Sequence, residues 1–173
     1  MSPLLPRPAA LRAALVAAGL ALGAATAQAS LNLTIAVGTC SPGNLVSLQT
    51  DLRLTNGAVR KPGRNPPSRY FCDVPIDDLA AKPSWNRFEF QYIDRNTTGT
   101  GNLVARLMRR ANGSATASQV AKVSSVANGG TFTTGFAALP ELDFALYDYF
   151  VIVDITTGRD PVDAVAVRLV TRR

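Results

Sequence analysis

The closing segment of the chain, Tyr147 to Thr171, contains two runs of β-branched and aromatic residues that flank a short polar loop with Gly and Pro. This layout is typical of a β-hairpin. The first run is apolar on both of its faces, which is typical of a strand at the centre of a sheet. We therefore predict that this segment is a hairpin and that it forms the spine of a β-sandwich.

The two-residue period of a strand sorts the side chains of this segment into two faces. In the first run, the face assigned to the core consists of Tyr149, Val151, Val153 and Ile155. In the return run, the face assigned to the core consists of Val165, Val167 and Leu169. The less buried face of the return run consists of Ala164, Ala166 and Arg168. The assignment depends on register, because a slip of one residue exchanges the two faces.

The rest of the chain repeats short apolar runs between turn residues. The dipeptides Asn56-Gly57 and Asn112-Gly113 are typical of hairpin turns, and the segment 84–111 is itself a predicted hairpin. Outside the N-terminal region, no amphipathic helical window is longer than one turn. The pattern predicts an all-β fold, a single antiparallel β-sandwich of about eight or nine strands.

The N-terminal residues have the layout of an export signal. Arg7 and Arg12 precede an uncharged run rich in Ala, and a small-x-small cleavage pattern ends at Ala29. The uncharged run is too short and too weakly apolar for a membrane span, which needs about 20 residues. We predict a secretory signal peptide over residues 1–29 and a β-sandwich domain over residues 30–173. The protein is then expected to be bacterial and exported, either periplasmic or secreted.

The charge balance argues against a nucleic-acid partner. The chain has 18 basic and 12 acidic residues, and removal of Arg7 and Arg12 leaves four more basic than acidic residues. An excess of this size is ordinary for a soluble domain. No apolar segment after residue 29 is long enough to span a membrane. The expected partner is an envelope protein or a polysaccharide.

Two cysteines, Cys40 and Cys72, are the only ones in the chain. In an exported protein, an even pair of this kind predicts one disulfide. The alternative is a pair of free thiols, one of them catalytic. A catalytic thiolate is commonly activated by an imidazole, and the chain contains no His.

The absence of His excludes His-dependent catalytic triads and His-ligated zinc or haem. Carboxylates remain, because Asp77 and Asp78 are adjacent and Asp154, Asp160 and Asp163 flank the closing loop. Paired carboxylates can hydrolyse glycosides, and clustered carboxylates can bind Ca²⁺. Asp is also favoured in loops and caps, and no ordered ligand spacing is present. The sequence therefore predicts no catalytic residue, no metal site and no cofactor.

One candidate binding surface lies on the predicted hairpin 84–111. Its residues are Trp85, Arg87, Arg106, Arg109 and Arg110. Guanidinium groups bind anions, and an exposed Trp stacks on a sugar ring. The alternatives are a cross-strand pair between Glu89 and an Arg, and a Trp that packs in the core.

These observations favour an exported, non-catalytic β-sandwich with a binding or structural role at the bacterial cell envelope. The first alternative is a carboxylate-based hydrolase that acts on an extracytoplasmic glycan. The second alternative is a subunit of a surface assembly that completes its sheet with a strand from a partner.

The disulfide prediction can be tested by mass spectrometry of the exported protein. Under non-reducing conditions, the mass is expected to be lower by two hydrogen atoms than after reduction, because Cys40 and Cys72 are bonded. Two thiols that react with an alkylating agent without prior reduction would contradict the prediction.

Overall fold

The computed structural model of the chain describes residues 32–43, 51–62, 66–75, 83–97, 100–156 and 160–172. These residues form two antiparallel sheets that pack face to face, which confirms the predicted all-β sandwich. The predicted signal peptide at residues 1–29 and the Asp77–Asp78 pair lie outside the described residues.

The described residues contain eleven strands and one turn of 3-10 helix, Val37–Thr39. In chain order, the strands are β1 (Leu33–Ala36), β2 (Ser41–Pro42), β3 (Leu52–Arg53), β4 (Val59–Lys61), β5 (Ser68–Asp73), β6 (Arg87–Asp94), β7 (Thr100–Ala111), β8 (Ala117–Val126), β9 (Phe132–Ala138), β10 (Tyr147–Ile155) and β11 (Val162–Val170). The number exceeds the predicted eight or nine because strands such as β2 and β4 are too short to show a period in the sequence.

The strands divide into two sheets. Sheet A has the order β3-β4-β11-β6-β9, and β1 also pairs with β11. Sheet B has the order β2-β5-β10-β7-β8. All pairings between neighbouring strands are antiparallel.

The predicted closing hairpin is wrong, because β10 and β11 belong to different sheets. β10 lies between β5 and β7 in sheet B, and β11 lies between β6 and the pair β1 and β4 in sheet A. The apolar pattern on both faces of the first run correctly indicates a central strand, but it does not specify which strands lie beside it. The connection therefore crosses from one sheet to the other, and both strands direct side chains into the same core.

The predicted hairpin 84–111 is wrong for the same reason. β6 belongs to sheet A and β7 belongs to sheet B, so the two strands do not pair. Asp94, at the end of β6, accepts hydrogen bonds from Ser125 Oγ at 2.8 Å and from the backbone N–H of Asn102 at 3.4 Å. These contacts join the end of a sheet A strand to two strands of sheet B.

The core face predicted for the first run is confirmed. Tyr149, Val151, Val153 and Ile155 are all buried and belong to the hydrophobic core. From sheet A, the core receives Phe88, Phe90 and Tyr92 of β6. From β7 of sheet B it receives Leu103, Ala105 and Leu107.

The faces predicted for β11 are wrong in part, because the strand contains an irregularity. The register with β6 shifts between Ala164 and Ala166, so Val165 is displaced from the ladder and is only half-buried. Ala164 and Ala166, both assigned to the less buried face, are in fact buried, whereas Val167 and Leu169 are buried as predicted. A bulge inserts one extra residue, and this reverses the alternation of faces on its two sides.

The predicted disulfide is confirmed. Cys40 and Cys72 are bonded, and their Cα atoms are 4.5 Å apart. The bond joins the residue between the 3-10 turn and β2 to the last but one residue of β5. Closing a loop of 32 residues is expected to stabilise the fold by about 3–4 kcal/mol on the chain-entropy model.

The bulge provides a matched pair of substitutions. We expect Val167→Ala to lower the free energy of unfolding by about 1–3 kcal/mol, because it removes buried methyl groups and leaves a partial cavity. Val165→Ala removes the same atoms from a half-buried position, and its effect is expected to be much smaller. Chemical denaturation of the two variants measures both effects, and equal losses would contradict the assigned faces.

Candidate functional site

An open groove of ≈ 590 Å³ crosses the outer face of sheet B at one end of the sandwich. Its lining comes from the end of β5, the end of β7 and the start of β10, and consists of Phe71, Asp73, Val74, Arg110, Asp148, Tyr149 and Phe150. We refer to these residues as the sheet B groove. The strand register brings them together, because Phe150 lies opposite Asp73 and Asp148 lies opposite Arg110.

Two phenylalanine side chains provide the apolar part of the sheet B groove. On β5, Tyr70 and Cys72 point into the core, so Phe71 between them points outward and is 38% exposed. On β10, Tyr149 and Val151 point inward, and Phe150 between them points outward and is half-buried. Because β5 and β10 are neighbours, both rings lie on the same face of the sheet.

Three charged side chains provide the polar part of the sheet B groove. Arg110 Nη2 donates to Asp148 Oδ2 at 3.3 Å, and the two side chains are 48% and 57% exposed. Asp73 is also exposed. A surface ion pair of this kind adds little to stability, so these groups can exchange their contacts for contacts with a ligand at small cost.

A second ionic cluster lies farther along the same face of sheet B. Asp154 on β10 accepts a hydrogen bond from Arg69 Nε at 2.6 Å and another from Arg106 Nη1. The hydrogen bond from Arg69 to Asp154 raises the pKa of the Arg69 guanidinium above its ordinary value, and this outweighs partial burial. Asp154 is thus held between two cations on neighbouring strands.

The structure brings together some of the residues of the predicted binding surface and separates others. Arg106, Arg109 and Arg110 lie on β7 of sheet B, and of these three Arg110 lines the groove. The guanidinium carbon of Arg109 lies 4.8 Å from the ring centroid of Tyr147.

The other two residues of the predicted binding surface, Arg87 and Trp85, do not lie on sheet B. Arg87 is on β6 of sheet A, where its guanidinium carbon lies 3.5 Å from the ring centroid of Phe136. Trp85 is buried, and its ring makes an edge-to-face contact with Phe144 at 5.9 Å. Glu89, the expected partner of an Arg, is buried and accepts hydrogen bonds from Arg168 of β11 and from Arg172, which follows β11.

Four residues of the groove were not predicted as site residues from the sequence: Phe71, Asp73, Asp148 and Phe150. One signal for Phe71 was available, because a buried Cys72 implies that its neighbour in the strand points outward. The other residues are brought together by pairing between β5, β10 and β7, which are distant in the sequence. No local sequence pattern predicts which of these strands pair.

The carboxylates that flank the closing loop do not form one cluster. Asp154 lies on sheet B, whereas Asp163 lies on β11 of sheet A. Among the residues that the structure describes, no group of three or more His, Cys, Asp or Glu side chains is arranged to hold a metal ion. Within the same residues, no helix is long and apolar enough to cross a membrane.

Asp163 is a structural carboxylate. It is buried, and it accepts hydrogen bonds from Arg60 Nε at 2.7 Å and from Arg95 Nη2 at 3.0 Å. Burial alone raises the pKa of Asp163, but the two guanidinium partners outweigh it and hold the pKa below its ordinary value of 3.8. Asp163 therefore joins β4 to the loop after β6.

No protein-family model matches this sequence. No curated protein matches it either. Among solved structures, the chain is similar to the C-terminal CBM6 of a marine laminarinase from Zobellia galactanivorans, with 16% identity and a TM-score of 0.48 over 81% of this chain and 99% of that chain. It is also similar to a CBM6 from Clostridium stercorarium in complex with cellobiose, with 14% identity and a TM-score of 0.45 over 82% of this chain and 94% of that chain.

A third similar structure is a family two carbohydrate esterase from Cellvibrio japonicus, with 12% identity and a TM-score of 0.42. The match covers 82% of this chain and 34% of that chain, so this chain spans about a third of the esterase's length. Because the identities are low, the β-sandwich assignment rests on the two sheets of this chain and their pairing registers.

The ion pairs of Asp163 predict a dependence of stability on pH. Because its folded-state pKa is lowered, Asp163 stabilises the fold above pH 3.8, and this contribution is lost as the pH falls through the folded-state pKa. At neutral pH, Asp163→Asn is expected to lower the free energy of unfolding by about 1–3 kcal/mol, since Arg60 and Arg95 stay partly exposed to water.

Denaturation curves at several pH values test this prediction. The difference between the wild type and Asp163→Asn is expected to shrink as the pH falls below 3.8. The control is Asp148→Asn, which alters an exposed carboxylate and is expected to change the free energy of unfolding little at any pH. A constant difference across the acid range would contradict the prediction.

Proposed function

We propose that the protein is an exported, non-catalytic binding protein of the bacterial cell envelope and that it binds a carbohydrate in the sheet B groove. The observation that carries this proposal is the composition of the groove. Outward-facing Phe71 and Phe150 lie beside the exposed Arg110–Asp148 pair and Asp73.

A sugar ring has apolar C–H faces and an edge of hydroxyl groups. The rings of Phe71 and Phe150 offer apolar area to the faces, while carboxylate and guanidinium groups can accept from and donate to the hydroxyls. Binding sites for small ligands commonly combine an apolar lining with a few convergent polar groups. The groove is open to solvent along the sheet, so a polysaccharide chain can enter without being cut.

The proposed location is supported by the disulfide and by the N-terminal sequence. The Cys40–Cys72 bond is typical of an oxidising compartment outside the cytoplasm. Residues 1–29, proposed to be a cleaved signal peptide, would direct the chain to that compartment.

A carboxylate-based hydrolase is a second candidate, because Asp73 and Asp148 line the same groove. Glycoside hydrolysis needs two facing carboxyl groups, and one of them is usually kept protonated by an apolar or buried environment. Asp73 and Asp148 are both exposed, and Asp148 is paired with Arg110. This arrangement favours binding over hydrolysis.

The third candidate, a sandwich completed by a partner's strand, is less well supported. Strands of both sheets fill the layer between them with the chain's own side chains, including Phe90, Leu107, Val153 and Leu169. A closed core of this kind favours a domain that folds without a donated strand.

Binding of soluble polysaccharides, measured by affinity electrophoresis and calorimetry, tests the proposal. A neutral and an acidic polysaccharide should both be included. For the polysaccharide that binds, we expect Phe150→Ala to weaken affinity by about tenfold or more, equivalent to ~1.4 kcal/mol, because the ring loses its contact with the sugar. Phe71→Ala is expected to have a similar effect.

The matched control is Phe136→Ala, which removes an exposed ring from the outer face of sheet A. Equal losses for Phe136→Ala and Phe150→Ala would contradict a site on sheet B. Release of new reducing ends that is abolished by Asp73→Asn and Asp148→Asn would replace the binding proposal with the hydrolase.

A further inference from the structure

A buried polar cluster lies at the end of β4, away from the sheet B groove. The side chains of Lys61 and Asp51 are 2% and 0% exposed, and Lys61 Nζ lies 3.2 Å from Asp51 Oδ1. Fully buried lysines are rare in proteins. The pair joins the last residue of β4 to the residue immediately before β3, its partner in sheet A.

Two hydroxyl groups also belong to the cluster. Lys61 Nζ donates to Ser68 Oγ at 2.7 Å, and Tyr70 Oη donates to Asp51 Oδ2 at 2.8 Å. Ser68 and Tyr70 are themselves buried, and both lie on β5 of sheet B. Each oxygen of the Asp51 carboxylate therefore has a different partner: Oδ1 faces the amine, and Oδ2 faces the phenol.

A buried ion pair is energetically expensive to form. Removing an ammonium and a carboxylate from water costs several kcal/mol for each ion, and the attraction between them often fails to repay that cost. Conversion of the pair to an amide would remove both charges from the interior. It would also leave a neutral group whose polar atoms can bond to Ser68 and Tyr70.

We propose that Lys61 and Asp51 condense in the folded protein to an intramolecular amide. This bond would be a second covalent link in addition to the disulfide. The four residues of the cluster supply everything the reaction requires, since it needs no oxidant, reductant or external group.

The reaction begins with transfer of a proton from the Lys61 ammonium to the Asp51 carboxylate, which gives a neutral amine and a carboxylic acid. The Nζ lone pair attacks Cγ of Asp51, and an Nζ–Cγ bond forms. The Cγ–Oδ1 bond then breaks, and Oδ1 leaves as water with the transferred proton and one proton from Nζ, while Oδ2 becomes the carbonyl oxygen of the amide. One N–C bond is formed, one C–O bond is broken, and no atom changes its oxidation state.

The surrounding residues favour each part of this reaction. The fold holds amine and carboxylate at 3.2 Å, which removes the entropic cost of bringing them together. Tyr70 donates to Oδ2 and stabilises the charge that develops on it during the attack, and Ser68 Oγ accepts a hydrogen bond from Nζ and orients the amine. The low exposure of all four side chains limits access of water, so hydrolysis of the amide is disfavoured.

Peptide mass spectrometry of the purified protein tests the proposal. After reduction, alkylation and digestion with trypsin, cleavage after Arg53 and Arg60 releases the peptide Leu54–Arg60 in either case. With the amide, the peptide Lys61–Arg64 remains attached to the peptide that ends at Arg53, and the combined mass is lower by one water molecule. Separate, unmodified peptides for most of the folded protein would overturn the proposal.

Two variants test the roles of individual groups. Lys61→Arg has no primary amine, and its peptides are expected to be recovered separately and without loss of water. Tyr70→Phe removes the donor to Oδ2 and is expected to lower the cross-linked fraction at a fixed time after purification.

The control for Tyr70→Phe is Tyr92→Phe, which alters another buried tyrosine of the core. It is expected to leave the cross-linked fraction unchanged. A loss of water located outside the Lys61 and Asp51 peptides, or one that persists in Lys61→Arg, would also overturn the proposal.

Discussion

The apolar layer between β10 and β11 is the contact on which the rest of the sandwich depends. β10 is the central strand of sheet B, and β11 pairs on both of its edges in sheet A. Val151 and Val153 from one sheet and Val167 and Leu169 from the other belong to the same core. Burial of side chains of this size contributes about 1.5–3 kcal/mol each, so this layer holds the sheets together and fixes their outer faces. The inward side chains of β10 pack against sheet A and fix the position of the strand, and the outward side chains of β10 therefore line the sheet B groove.

Residue alternation predicted the class of fold and the inward face of β10, but it did not predict the partners of the strands. Tyr149 and Ile155 are buried as expected, because period-two patterning reports burial directly. The same pattern is compatible with pairing in one sheet or with packing across two, and the two predicted hairpins were therefore wrong. The bulge at Val165 is also invisible in the sequence, since it depends on how β11 meets β6.

The candidate site was only partly predictable. Arg110 was identified by charge, and it lines the groove. Trp85 and Arg87 were assigned to the same surface through a hairpin that does not form, and the structure separates them from β7. Phe71 and Phe150 were missed because an apolar residue in a strand is usually buried, and their exposure follows from the faces that Cys72 and Val151 occupy. The groove thus forms through pairing of strands that are distant in the sequence, and this pairing cannot be predicted from composition.

The position of β11 has a consequence for the order in which the chain can fold. β1, the first strand described, pairs with β11, the last, and β11 also separates β4 from β6 in the middle of sheet A. Until this final segment is available, β4 and β6 lack their shared neighbour and β1 lacks the strand to which it binds. Contacts between such distant segments form slowly, because a long loop must be closed first. A chain of this topology therefore stays unfolded until nearly all of it has been synthesised. An unfolded polypeptide can pass through a narrow channel before it folds.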